Sequence, residues 1–109
     1  MQEKRNYFRY QLAFPVEWQQ MNSPQYSYTV TKDLSLGGVK IISDDFIPKG
    51  DTLKLKLNLI KRVFNFKTKV AWCNKERFSD RYYLGCEFIE IPYFYKNQYR
   101  QFLDKVTSS

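Results

Sequence analysis

The strongest constraint on the fold is the alternation in Leu53-Lys54-Leu55-Lys56-Leu57-Asn58-Leu59. Successive side chains of a strand point to opposite faces, so every Leu falls on one side and every Lys or Asn on the other. That is a half-buried antiparallel strand. Phe64-Asn65-Phe66-Lys67-Thr68-Lys69-Val70-Ala71-Trp72 repeats the period, with Phe64, Phe66, Val70 and Trp72 expected inward. The Ile60-Lys61-Arg62-Val63 link between the two is hairpin-sized. Ala13 to Gln19, Tyr26 to Lys32, Gly38 to Ile42 and Arg81 to Ile89 are rich in β-branched and aromatic residues and add further strands, about six in all. Polar clusters at residues 21–25, 43–51 and 74–80 read as loops between them. Short strands with no intervening helix make the chain mainly all-β, either an antiparallel sandwich or a small closed barrel.

After Pro92 the period changes. Tyr95, Tyr99, Phe102, Leu103 and Val106 are spaced i, i+4, i+7, i+8 and i+11, which is one face of a helix, and Pro92 suits its first turn. Such an aromatic stripe must cover apolar surface, and the open end or flank of the sheet structure is the obvious receiver. With 109 residues, 18% of them aromatic, the chain can fill one core and no second sizeable domain.

Lys and Arg number 18 against 11 Asp and Glu, and the resulting charge of +7 favours anionic partners. No run approaches the roughly 20 apolar residues that span a bilayer, so membrane insertion is not expected. The mixed charges of Met1-Gln2-Glu3-Lys4-Arg5 precede no apolar leader, which makes the cytoplasm the expected location. There is no His, and Cys73 and Cys86 stand without a third Cys, so neither a metal site nor a cofactor is expected and the thiols read as buried and free. Catalysis is not expected either: no nucleophile elbow or phosphate-cradling loop is present, and the Asp44-Asp45 pair reads as solvated turn acids.

Two local signals point to a ligand. Lys4-Arg5-Asn6-Tyr7-Phe8-Arg9 sets three cations and two aromatics ahead of the first strand. A guanidinium can stack on a base, fork onto phosphate and donate two parallel bonds to guanine. Farther on, Asp33-Leu34-Ser35-Leu36-Gly37-Gly38 places an acid and a hydroxyl two apart, on the same side of an extended strand. The Gly pair that follows lets the backbone approach a ligand closely, and the acid can accept from a guanine edge.

Together these residues resemble the PilZ domain family, whose hallmarks are Arg-x-x-x-Arg before the barrel, here Arg5 and Arg9, and Asp/Asn-x-Ser-x-x-Gly at a strand end, here Asp33, Ser35 and Gly38. The resemblance continues through Phe14-Pro15-Val16, Val70-Ala71-Trp72, Leu84-Gly85-Cys86-Glu87-Phe88 and the terminal helix. It implies a six-stranded antiparallel PilZ-type β-barrel with a C-terminal α-helix, residues 13–109, preceded by a ligand-switch arm, residues 1–12. It also implies binding of cyclic di-GMP without turnover, relayed to an unidentified downstream protein in control of motility or biofilm formation. Arg5 and Arg9 would meet bases and phosphate, and Asp33, Ser35 and Gly38 would complete the pocket. Lys4 stands where many members carry a further Arg; Gly37 and Arg81 are supporting candidates. The arm up to about Arg9 is expected to be mobile until ligand orders it. A small basic barrel gripping single-stranded nucleic acid through Lys54, Lys56, Lys67 and Lys69 is the rival, although the same lysines serve as the polar exterior of strands, so a nucleic-acid partner is not expected. A PilZ-like module that binds only protein is the third reading.

Overall fold

The computed structural model describes residues 8–107. It contains β1 (Pro15–Gln20), β2 (Ser27–Leu34), β3 (Gly38–Ser43), β4 (Thr52–Asn58), β5 (Val63–Lys75), β6 (Tyr82–Ile89) and α1 (Tyr93–Thr107). All neighbouring strands are antiparallel, in the order β1-β2-β3-β6-β5-β4, and the barrel closes where β1 pairs with β4. Closure settles the choice between sandwich and barrel and leaves no long free edge. The alternation in β4 explains the seam. Leu57 and Leu55 stand beside Val16 and Trp18 of β1 and beside Phe64 and Phe66 of β5, and all six are buried.

Phe64, Phe66 and Phe88 fill one end of the barrel, with Phe66 and Phe88 stacked at 4.0 Å between centroids. The helix lies over that end. Its Tyr99 ring meets Phe64 at 5.4 Å, Phe66 at 5.0 Å and Phe88 at 5.5 Å, while Phe102 reaches Phe14 and Leu103 is buried. Pro92 accepts the first helical bond from the Lys96 amide, so the ring that cannot donate stands just outside the helix. Among the described residues no helix is long and apolar enough to cross a membrane.

Two bulges set the direction of the side chains that matter. Between Val70 and Trp72 the β5–β6 register shifts, so Ala71 is the extra residue and Trp72 pairs with Gly85. Gly85 pairs in turn with Lys40, whose neighbours Val39 and Ile41 point into the core. Cross-strand partners share a face, so Trp72 lies outside the barrel. This corrects the inward orientation expected from simple alternation. The β2–β3 ladder shifts in the same way between Thr31 and Asp33. Thr31 is fully buried and partnered with Ile41, and the extra Lys32 turns Asp33 outward, opposite Lys40.

Candidate functional site

The row Asp33, Lys40, Gly85 and Trp72 therefore crosses the outer surface of β2, β3, β6 and β5. The N-terminal segment reaches it through a reciprocal pair of backbone bonds: Tyr10 N donates to Leu34 O, and Leu34 N to Tyr10 O, both at 2.8 Å. One residue earlier, Arg9 Nη1 donates to Asp33 Oδ1 at 2.5 Å. Lys40 Nζ lies 3.6 Å from Asp33 Oδ2, and its ammonium sits 5.2 Å from the Tyr83 ring centre. Asp33 is only 6% exposed and gathers two cations. Asp33 thus ties Arg9 to Lys40, while Glu87 brings a second carboxylate to the cavity that Arg9 lines. Arg9 Nε is buried and has no partner among the described residues.

Leu34 ends β2, and the chain turns through Ser35, Leu36 and Gly37 into β3. Ser35 Oγ accepts from Gly37 N at 3.2 Å and from Gly38 N at 3.1 Å, and Ser35 N donates to Gly38 O at 2.9 Å. Ser35 is thus spent on shaping the turn. It does not continue the strand beside Asp33, as the extended reading had it. Gly38 is required by contact: a Cβ there would lie 2.2 Å from the Cys86 carbonyl oxygen. At Gly85 a Cβ would lie 2.3 Å from the Trp72 indole, which rests over the bare backbone.

These residues enclose a cavity of about 250 Å³ lined by Arg9, Ser35, Gly37, Gly38, Val39, Ala71, Trp72, Gly85, Cys86 and Glu87. That is below the roughly 300–1,000 Å³ of pockets that engulf a drug-sized molecule, so a larger ligand would lie partly outside it. Burial pushes the Cys86 thiol up to about 12, which makes it an inert wall despite its position; Cys73 is half-buried and also free. Among the described residues no group of three His, Cys, Asp or Glu is placed to hold a metal.

The structure therefore brings Arg9, Asp33, Ser35, Gly37 and Gly38 together. Lys4 and Arg5 lie outside the described residues, as does most of the arm expected over 1–12, and the chain is tied to β2 from Tyr10 onward. Arg81 does not join them. It precedes β6 where Tyr82 pairs with Ser43, whereas Gly38 pairs with Glu87 at the other end of the same ladder, and its guanidinium is bound to Glu76 at 3.2 Å. Sequence reading missed Lys40, Trp72, Gly85 and Glu87. The signal available was Gly85, since a glycine inside a strand marks a close approach.

A family profile described as PilZ domain matches residues 3–105. No curated protein matches the sequence. Among solved structures, the PilZ domain of YcgR from Escherichia coli with c-di-GMP is 17% identical with a TM-score of 0.76, over 92% of this chain and 88% of that one. Bacillus subtilis MotI/DgrA, an inhibitor of motility, is 22% identical with a TM-score of 0.74, over 94% of this chain and 53% of that one. YcgR from Escherichia coli in complex with c-di-GMP is 18% identical with a TM-score of 0.80, over 95% and 46%. This chain thus spans about half the length of MotI/DgrA and of that longer YcgR chain. At these identities the likeness is one of fold. The barrel order, the terminal helix, the joined Arg9–Asp33 corner and a profile match over nearly the whole length agree: the chain belongs to the PilZ domain family.

Proposed function

We propose that the chain is a cyclic di-GMP receptor that binds without chemical turnover and passes its state to a downstream protein. The observation that carries this reading is the Arg9 side chain, aimed at the cavity with one terminal nitrogen held by Asp33 and its buried Nε unpartnered. A guanidinium offers five donors in a fixed plane, so Asp33 orients it while the terminal donors that Asp33 leaves free face a phosphate or a guanine edge. Asp33 accepts from guanine N–H groups with its remaining lone pairs. Trp72 supplies a flat wall for a base, and Gly37 and Gly38 let the ligand approach the backbone. Support also comes from the fold: YcgR, which shares it, was solved with c-di-GMP.

The cavity leaves part of a dinucleotide uncovered, so the arm ahead of the Tyr10–Leu34 bridge closes over the exposed part through Arg5, with Lys4 adding charge. The ordered arm then presents a new surface, and the domain works as an adaptor by population shift. Two free thiols fit a reducing, cytoplasmic setting. The reading is tested by calorimetry with cyclic di-GMP at near-physiological salt, with GTP and cyclic GMP as controls. Saturable binding of cyclic di-GMP alone is expected, weakened at least about tenfold in Arg9→Ala and Asp33→Ala because each removes a charge-assisted bond. A folded protein that binds none of the three, or variants that bind as tightly as the parent, would overturn it.

A further inference from the structure

Tyr99 is fully buried, yet it carries a hydroxyl. Burial pushes the phenol far above its usual value, so it stays a neutral donor. That hydroxyl donates to the backbone carbonyl of Ser35 at 3.0 Å, across 64 residues of sequence. The ring is held on three sides by Phe64, Phe66 and Phe88, so the hydroxyl has little freedom to point elsewhere.

The turn from Ser35 to Gly38 is otherwise held by main-chain contacts, beginning with the pairing of Gly38 with Glu87 of β6. Phe88 N donates to Gly37 O at 3.0 Å, and Ser35 N and Oγ are used within the turn itself. Among the described residues Tyr99 is the one side chain from another element whose hydrogen bond reaches this turn. We propose that Tyr99 is a positioning residue for the binding corner: from the terminal helix, it pins the Ser35 carbonyl and thereby holds the Gly37 and Gly38 backbone in the form that receives ligand. This rests on the receptor reading for its ligand. It gives the helix a part in binding that packing alone does not require. Removing the hydroxyl leaves the ring in place but strands a buried carbonyl, and the turn must shift to satisfy it.

The test compares Tyr99→Phe with Leu103→Ala, a helix variant that loses buried packing and no hydrogen bond. Two quantities are read: amide exchange at Gly37 and Gly38 in the ligand-free proteins, and the Kd for cyclic di-GMP. In Tyr99→Phe, exchange at both glycines is expected to rise roughly fivefold or more relative to the β4 amides, with the Kd roughly five- to tenfold weaker, the worth of one buried hydrogen bond. Leu103→Ala should lower the Tm while leaving the Kd within about twofold, because a truncated side chain costs packing and not the corner. Parental exchange and affinity in Tyr99→Phe would overturn the proposal. So would an equal loss of affinity in Leu103→Ala, which would make the effect one of general stability. If the parent protein itself does not bind cyclic di-GMP, the receptor reading falls, and the glycine exchange rates still decide whether Tyr99 holds the turn.

Discussion

Replacing Gly38 by Ala tests whether the corner is built on a backbone contact that no side chain can share. An added Cβ would sit 2.2 Å from Cys86 O, 3.2 Å from Cys86 C and 3.3 Å from Glu87 Cα, all of them main-chain atoms of the adjacent strand. Carbon and oxygen normally approach to about 3.3 Å, so β3 and β6 must part by about 1 Å at the end of their ladder. Overpacking of this kind costs about 1–3 kcal/mol, and a stretched ladder bond adds about 1 kcal/mol. We expect a loss of about 2–4 kcal/mol in urea unfolding at unchanged m-value, with a Tm lower by roughly 8 °C or more. Gly85→Ala is the comparator. Its Cβ meets the end of the Trp72 side chain at 2.3 Å, and an indole on the outer surface can swing away. It should cost about 1 kcal/mol, near the mean for single substitutions, and shift the tryptophan emission to the red. Should Gly38→Ala unfold within about 0.5 kcal/mol of the parent, the close approach would not be what requires glycine there.

Two further predictions concern the hairpin tips. Ile60 is β-branched, 75% exposed and held at φ 69°, so Ile60→Gly should relieve left-handed strain and raise stability by about 0.5–1 kcal/mol in urea melts; a loss instead would mean that the Ile side chain contributes to the fold. At the other tip the Tyr83 hydroxyl donates to Glu76 Oε2 at 2.9 Å, and this bond, ahead of those from Ser79 and Arg81, holds the Glu76 carboxyl below its ordinary 4.5. A carboxyl depressed in the folded state stabilises fully above its unfolded value and loses that contribution as pH falls through the depressed one, so this support fades on the acid side of 4.5. Tyr83, raised above 10.0 by the same partner, ends it on the alkaline side. In Tyr83→Phe, carboxyl NMR should find Glu76 titrating closer to 4.5, and an unmoved titration would assign the shift to Arg81 and Ser79 instead.

Much of the fold was written in local pattern. Leu53, Leu55, Leu57 and Leu59 are all buried as their alternation requires, and the tip at Ile60 and Lys61 is closed by Leu59 N donating to Arg62 O. The helix stripe also reads correctly, because Tyr99 and Leu103 are its buried residues. What pattern could not carry was the phase. One extra residue at Lys32 and one at Ala71 reverse the faces of Asp33 and Trp72, and a bulge leaves no mark on a hydrophobic period. Arg81 looked adjacent to the site because sequence position says which strand a residue precedes, not at which end of the barrel that strand begins. The pairing of Tyr10 with Leu34, which aims Arg9 at Asp33, is likewise a contact between segments far apart in sequence. The Arg and Asp-x-Ser-x-x-Gly motifs were legible; the meeting of Arg9 with Asp33 on the outer wall, with Trp72 in the lining of the adjoining cavity, belongs to the register of the strands.

The central claim is that one ligand meets Arg9 and the Ser35–Gly38 turn on the outer face of the barrel. Amide and indole shifts of isotope-labelled protein during a cyclic di-GMP titration test it most directly. The account predicts saturable shifts centred on Arg9, Ser35, Gly37, Gly38, Gly85 and the Trp72 indole, with Arg81 and the outward Lys54, Lys56 and Lys67 unmoved. Shifts that gather around Arg81 or on the lysine face, or an unchanged spectrum at saturating dinucleotide, would contradict it.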